Sequence, residues 1–174
     1  MFELKAAPCK LMHVNLRTEK HGEDDVRAVD LKFERVGPNT LIDELAPGLR
    51  AALYQPPQQG NQADAFNGEL TTLAFPQIKM PLQLDGEFPG YKASIATGLD
   101  PDDVLVLTSE LKKQKVEAVQ GGSARHEFTL STYPDDEEIG RLASALGHEV
   151  ELTLEAPKPS ASNDGGDAVE EETA

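Results

Sequence analysis

The sequence has no tryptophan, a single cysteine and no long apolar run, and each absence excludes a class of protein. Cys9 cannot form an internal disulfide, and it cannot supply the several thiolates of a typical structural zinc site. No stretch reaches the roughly 18 consecutive apolar residues of a membrane-spanning helix. Residues 1–5 lack the basic-then-apolar order of a signal peptide. We therefore expect a cytoplasmic protein whose stability comes from packing.

Positive charge is also scarce. The 174 residues include 16 Lys and Arg against 31 Asp and Glu, which gives a formal net charge of −15. A field of this sign repels phosphates at long range and disfavours non-specific binding to duplex nucleic acid. Screening over about 8 Å at physiological salt still allows a local cluster of Lys and Arg to bind an anion.

The C-terminal segment 157–174 is rich in Pro, Ser, Gly and acidic residues and has almost no apolar side chains. Such a segment cannot bury enough apolar surface to offset the entropy lost on ordering. We predict a single β-rich domain, residues 1–156, followed by a disordered acidic tail, residues 157–174.

Two strands near the N-terminus are predicted to form a hairpin with a polar tip at 20–25, because apolar and polar residues alternate on both sides of it. In the first strand the predicted inward-facing residues are Met12, Val14 and Leu16. The odd-numbered residues from Cys9 to Arg17, including Leu11, are predicted to share the outer face. In the second strand the predicted inward-facing residues are Val29, Leu31 and Phe33.

Most of the remaining domain also has strand signals, which lie at 70–75, 79–84, 91–97, 104–107, 112–119, 124–133 and 148–155. Gly121 and Gly122 suit a hairpin turn because glycine adopts positive φ without strain. A broken helix is predicted after Asn39, which can act as its N-cap, with Pro47 as the interruption. Residues 55–68 are polar and are predicted to form a loop.

The strongest helix signal begins at Asp135, which with Glu138 forms a capping-box pattern. Its predicted buried face consists of Ile139, Leu142 and Leu146. Taken together, the pattern predicts an α+β, mainly β fold: a twisted antiparallel sheet or partly closed barrel with one or two short helices.

Motifs for catalysis or metal binding are missing from the sequence. The four histidines have no metal-ligand spacing, and there is no nucleophile elbow and no Walker loop. His126 and His148 fall on apolar strand faces and are predicted to be partly buried framework residues with hydrogen-bond partners. The acidic run that begins at Asp135 is explained by the helix N-terminus. We expect no cofactor, no metal and no enzymatic activity.

Two clusters of cationic residues stand out against the acidic background. The N-terminal basic cluster consists of His13, Asn15, Arg17, Lys20 and His21, and the lysine cluster consists of Lys112, Lys113 and Lys115. If the fold brings the clusters together, they could line a groove for a single nucleic-acid strand, whose bases could stack on Tyr91, Phe128 or Tyr133. The alternative is that these lysines are solvated side chains that protect sheet edges from association.

The stretches 11–22 and 26–33, together with 46–54, resemble the corresponding part of uncharacterised early-region proteins of tailed bacteriophages and prophages. The resemblance extends over most of residues 1–155. It implies a role in single-stranded DNA metabolism or in interference with a host system, inside a bacterial cell. The ending Glu172-Thr173-Ala174 departs from the acidic-then-hydrophobic end of familiar single-strand-binding proteins, so recruitment of partners through the tail is not expected.

Two functions follow as expectations. The first is a non-catalytic binding protein of phage-type DNA metabolism, which contacts single-stranded nucleic acid through Arg17, Lys20, Lys112, Lys113 and Lys115. The second is an acidic, nucleic-acid-mimicking inhibitor of a basic host protein, which uses Asp30, Glu34, Glu149, Glu151 and Glu155 as phosphate surrogates. Neither function involves a membrane.

Overall fold

The computed structural model describes residues 2–57, 70–78, 80–98 and 104–158, and its long strands form a closed antiparallel barrel. The described strands are β1 (Leu4–His21), β2 (Asp24–Pro38), β3 (Tyr54–Gln55), β4 (Thr72–Leu73), β5 (Leu82–Gln83), β6 (Phe88–Ala96), β7 (Val104–Val119), β8 (Ser123–Thr132) and β9 (Glu149–Glu155). The described helices are α1 (Thr40–Leu45), α2 (Leu49–Leu53) and α3 (Asp136–Ser144).

Six strands surround the core in the order β1-β2-β8-β7-β6-β9, and β9 pairs with β1 to complete the ring. All of these pairings are antiparallel. The short strand β5 adds to β7, while β3 and β4 form a separate two-stranded sheet. The predicted mainly β fold is therefore confirmed. Because the barrel is closed, each of these six strands pairs with a neighbour on both sides over at least part of its length.

The β1–β2 hairpin confirms the predicted pairing but corrects the predicted faces of β1. Leu11 pairs with Phe33 and His13 with Lys32, so Met12 is an extra residue in a β-bulge. A bulge of one residue reverses which side chains face inward beyond it. Cys9 and Leu11 are therefore buried before the bulge, and Val14 packs on the core after it. Leu16 pairs with the buried Val29 and faces the same side as Val14, but it is 50% exposed, so its predicted burial is wrong.

Strand β7 is continuous, where the sequence predicted two separate strands at 104–107 and 112–119. The pairing with β8 shifts between Lys112 and Lys115, and Lys113 has a positive φ of 53° at this irregularity. The extra residue lets the strand continue while Leu111, Gln114 and Val116 are all buried. The lysine cluster, by contrast, lies on the outer face.

Two apolar clusters fill and cover the barrel. The larger one fills the interior and includes Leu142 of α3. The smaller one packs α1 and α2 against Val116, Ala118 and Ala124, near the turn between β7 and β8. The predicted broken helix is confirmed, but Asn39 makes no side-chain cap; its amide donates to the carbonyl oxygen of Leu70 instead.

Helix α3 begins as predicted, with a capping box in which the Asp135 carboxylate accepts from the Glu138 N–H at 2.8 Å and Glu138 accepts from the Asp135 N–H at 2.9 Å. Leu142 is fully buried and Ile139 packs on the core. Leu146 is 46% exposed, so its predicted burial is wrong: the helix ends at Ser144, and Leu146 lies beyond its last turn.

The inner face of the barrel contains one fully buried histidine. His126 lies between Phe2 and Phe128, and neither of its ring nitrogens has a hydrogen-bond partner in the part of the chain that the structure describes. Burial of His126 is confirmed, whereas its predicted hydrogen bonds are not found. His148 is exposed, so its predicted burial is wrong, because it precedes β9 and lies outside the barrel wall.

The predicted loop and tail are described only in part. Residues 58–68 of the loop and 159–174 of the tail lie outside the described residues. Within the described ranges, no helix is long and apolar enough to span a membrane.

Candidate functional site

The two predicted basic clusters lie on one outer face of the barrel. Strands β2 and β8 separate β1 from β7, and residues on the four strands align in rows. One row runs from His13 through Lys32 and Thr129 to Lys112. The next runs from Asn15 through Asp30 and Ser131 to Glu110. The fold thus brings together residues that are about one hundred positions apart in the sequence.

Asp30 joins the two clusters at the centre of this face. Nη2 of Arg17 donates to Oδ1 of Asp30 at 3.2 Å and to Oγ of Ser131 at 3.0 Å. The Ser131 hydroxyl donates to the same oxygen of Asp30. Nζ of Lys112 lies 3.7 Å from that oxygen, close enough for an ion pair but not for a normal hydrogen bond. One carboxylate oxygen therefore holds one cation from each cluster.

The surroundings of Asp30 favour its charged form. Burial alone would raise the pKa of this carboxyl group, but the hydrogen bonds from Ser131 and Arg17 and the positive charge of Lys112 outweigh burial and hold the pKa below its ordinary value. Asp30 thus stays ionised at neutral pH and keeps Arg17 and Lys112 in place.

Most cations on this face are paired with carboxylates. Arg17 also pairs with Glu19, Lys112 lies 3.6 Å from Glu110, and Lys32 lies 2.8 Å from Glu127. Lys113 and Lys115 form no ion pair with any described carboxylate. Lys113 is exposed and Lys115 is partly exposed, so these two ammonium groups are the ones most available to an incoming anion.

Two grooves lie on the outside of the barrel, one over β1, β2, β8 and β7 and the other over β8, β7, β6 and the start of α3. The basic groove, about 440 Å³, is lined by residues of both clusters and their neighbours, chiefly His13, Asn15, Asp30, Lys32, Lys113 and Thr129. The tyrosine groove, about 530 Å³, is lined chiefly by Pro89, Val106, Thr108, Glu110, Ser131 and Tyr133. Asp30 belongs to the first and Ser131 to the second, so the hydrogen bond between them marks the point where the grooves meet.

The predicted site residues differ in whether they contact Asp30, line a groove or lie away from both. Arg17 and Lys112 form the network around Asp30, and Lys113 lines the basic groove. Lys115 lies further along the outer face, opposite Glu127. Lys20 lies near the hairpin tip, opposite Asp25, and lines neither groove. The side chain of His21 lies outside the described residues.

Of the three aromatic residues predicted to stack on bases, only one is accessible. Tyr91 and Phe128 are in the barrel core, with exposures of 1% and 0%, so their predicted stacking roles are wrong. Tyr133 is 52% exposed and lies at the edge of the tyrosine groove. Its hydroxyl donates to Oε2 of Glu19 at 2.6 Å, which fixes the orientation of the ring.

The carboxylates predicted as phosphate surrogates fall into two groups. Asp30 and Glu34 are engaged with cations, since Glu34 lies 3.3 Å from Nε of Arg125. Glu149, Glu151 and Glu155 are exposed on the outer face of β9, and no described cation forms an ion pair with them. We call these three residues the β9 acidic stripe.

The sequence pattern alone does not reveal the joining role of Asp30 and Ser131. Their outward positions could be read from the alternation in each strand. Their contact depends on the pairing of β2 with β8, two strands separated by about ninety residues, and no local pattern encodes that pairing.

Metal chemistry has no support in the described part of the chain, where no three His, Cys, Asp or Glu side chains are grouped as a metal site would require. Cys9 is buried, and burial, only partly opposed by the positive charge of Arg35, raises the pKa of its thiol to about 12. A thiol held in this form is a poor nucleophile and a poor metal ligand.

Compared with known proteins, the chain matches no protein-family model, no curated protein and no solved structure.

Proposed function

We propose that this protein is a non-catalytic binding protein that contacts single-stranded nucleic acid on the outer face of β1, β2, β8 and β7. The observation that carries the proposal is the meeting of Arg17 and Lys112 at Asp30, beside Lys113 in the basic groove. Phosphate contacts by Arg and Lys supply most of the affinity in sequence-independent binding. The resemblance to phage early-region proteins is consistent with a role in phage-type DNA metabolism.

Charge explains why a single strand is a better ligand than a duplex. The net charge of −15 opposes a long, rigid and densely charged duplex that extends beyond the local cations. A flexible strand can follow one groove and place a few phosphates within a Debye length, about 8 Å, of Lys113 and Lys115. Because Asp30, Glu110 and Glu127 already partly neutralise this face, the expected affinity is modest and strongly salt-dependent.

A titration of a labelled oligonucleotide of about 12 nucleotides, a length within the site sizes of single-strand-binding barrels, tests the proposal. Binding should weaken with salt at a logarithmic slope of about −0.7 per phosphate contacted. The double variant Lys113→Ala/Lys115→Ala should bind more weakly and have a shallower slope. Lys5→Ala is the matched control, because Lys5 is an exposed lysine on β1 that lines neither groove.

Two outcomes would overturn this function. One is the absence of binding at low salt up to tens of micromolar protein, because sequence-independent binding typically reaches about 10⁻⁴–10⁻⁶ M even at physiological salt. The other is a loss of affinity per charge removed that is the same in Lys5→Ala and in the double variant. Equal losses per charge would mean that net charge governs binding and the basic groove does not.

The β9 acidic stripe favours a second candidate, an acidic inhibitor that mimics nucleic acid. Glu149, Glu151 and Glu155 repeat along one strand and are exposed, as a surface that replaces phosphates would require. For this candidate, charge removal by Glu149→Gln, Glu151→Gln and Glu155→Gln should slow association with a basic host protein. The same triple change should leave binding to a single strand no weaker, so the two candidates respond differently to one variant.

A further inference from the structure

The tyrosine groove differs in chemistry from the adjoining basic groove. Among the described residues that line it there are two carboxylates, Glu110 and Glu138, and no Lys or Arg. A phosphate is therefore repelled from this groove and attracted to the one next to it. The groove does present an exposed aromatic ring, Tyr133, and the apolar side chains of Pro89 and Val106.

We infer that the tyrosine groove is a base-binding subsite, in which one base of a single strand stacks on Tyr133 while the neighbouring phosphates lie near Lys113 in the basic groove. This inference rests on the proposed function and deepens it by assigning the two parts of a nucleotide to two neighbouring grooves. The Ser131–Asp30 hydrogen bond, which joins the grooves, marks where the sugar-phosphate backbone passes from one to the other.

The position of the Tyr133 ring suits stacking. Its hydroxyl is anchored on Glu19, so the ring is held in place before a ligand arrives and little rotamer entropy is lost on binding. The volume of about 530 Å³ lies within the range of about 300–1,000 Å³ that small-molecule sites occupy. Stacking needs only a π-face, which every base has, so this subsite tolerates any sequence.

The pair of variants Tyr133→Ala and Tyr133→Phe separates stacking from the hydrogen bond to Glu19. Both lose the hydroxyl, but only Ala loses the ring. Tyr133→Ala should raise the dissociation constant for the oligonucleotide about 5- to 150-fold, the range that corresponds to one stacked base. Tyr133→Phe should bind within about twofold of the parent protein, and the salt slope should not change in either variant, because no phosphate contact is removed.

Tyrosine fluorescence provides a second readout. The sequence has three tyrosines and no tryptophan, and Tyr54 and Tyr91 are buried, with exposures of 2% and 1%. A base that stacks on Tyr133 should quench the emission of that residue on titration with unlabelled strand. The quenching should disappear in Tyr133→Phe, which still binds. A strand of the same length without bases should bind the parent protein and Tyr133→Ala equally.

The outcomes separate this inference from the proposed function. If the parent protein binds the strand but Tyr133→Ala binds equally well and no quenching occurs, the base subsite is wrong and the proposed function stands. If Tyr133→Phe loses as much affinity as Tyr133→Ala, the hydroxyl contact matters and stacking does not, which also overturns the subsite. If the parent protein binds no strand, the proposed function fails and the subsite fails with it.

Discussion

Arg35 and His126 lie directly opposite each other on β2 and β8, at a level of the barrel where the histidine ring is completely buried. Burial first, and the positive charge of Arg35 second, lower the pKa of His126 to about 3. The ring is therefore neutral at physiological pH and packs as an aromatic residue, with its centroid 5.0 Å from that of Phe2 and 4.9 Å from that of Phe128.

This burial predicts that the protein loses stability on mild acidification. The unfolded chain protonates His126 near the ordinary value of about 6.5, whereas the folded protein resists protonation until about pH 3. A lowered pKa in the folded state means that the free energy of unfolding falls as pH falls between these two values. We expect a loss of about 1–2 kcal/mol between pH 6.5 and pH 5. Denaturant unfolding at several pH values measures it.

The variant His126→Leu tests whether this histidine is the cause. Its absolute stability will differ because a ring is lost, so the informative quantity is the slope of stability against pH. The loss of stability over the same interval should be smaller by about 1–2 kcal/mol, because the variant has no His126 to take up a proton in the unfolded chain. An unchanged slope in His126→Leu would show that other groups govern the acid sensitivity.

Leu142 and Leu146 allow a matched test of how α3 supports the barrel. Leu142 is fully buried in the main core, and Leu146 is 46% exposed. Leu142→Ala should lower the free energy of unfolding by about 2–5 kcal/mol, through lost burial and a residual cavity. Leu146→Ala should change it by no more than about 0.5 kcal/mol. Similar losses in the two variants would contradict the structure of this helix end.

The thiol of Cys9 can report on unfolding of the barrel, because it reacts only when it becomes exposed. Cys9 is 1% exposed, and the pKa of its thiol is raised to about 12, so the native protein should react with a thiol reagent far more slowly than the unfolded chain does. The measurement is the labelling rate at about pH 8 with increasing denaturant, where the rate should follow global unfolding. Rapid labelling without denaturant would mean that β1 separates from β9 in the native state.

The sequence predicted the local features of this fold well, because each depends on neighbouring residues. The capping box of Asp135 and Glu138 and the alternation of Val29, Leu31 and Phe33 are examples. The wrongly predicted strand faces arise where the regular alternation of inward and outward side chains is interrupted. The bulge at Met12 reverses the faces of β1, and in the sequence it appears as a change of the apolar positions from odd numbers (Cys9, Leu11) to even numbers (Met12, Val14).

The candidate site was predictable only as two separate clusters. The residue types around Arg17 and Lys112 indicated anion contacts, but their meeting at Asp30 follows from the order of strands in the barrel. Long-range pairing of this kind depends on the whole core. The same reason explains why Tyr133 could not be separated from Tyr91 and Phe128 as a stacking residue before their burial was known.

Asp30 restrains the cations of the proposed interface, so its charge can be used to test that interface. Asp30→Asn removes a negative charge next to Arg17 and Lys112 but keeps an oxygen that can accept their hydrogen bonds. Affinity for a single strand should therefore rise about 5-fold at low salt, since one unit charge at about 4 Å in water contributes about 1 kcal/mol. Glu34→Gln is the control, because Glu34 is also on the outer face of β2 but pairs with Arg125 and lines neither groove.

The same variant separates the two candidate functions by the sign of its effect. If the protein mimics nucleic acid, Asp30→Asn removes part of its negative surface and should weaken the capture of a basic partner. If the protein binds a strand, the variant should bind more tightly than the parent protein, with Glu34→Gln between them or unchanged. A strand affinity that falls in Asp30→Asn, while the fold is retained, would show that Asp30 does not compete with phosphate. The carboxylate would then act on this interface chiefly by holding Arg17 and Lys112 in place.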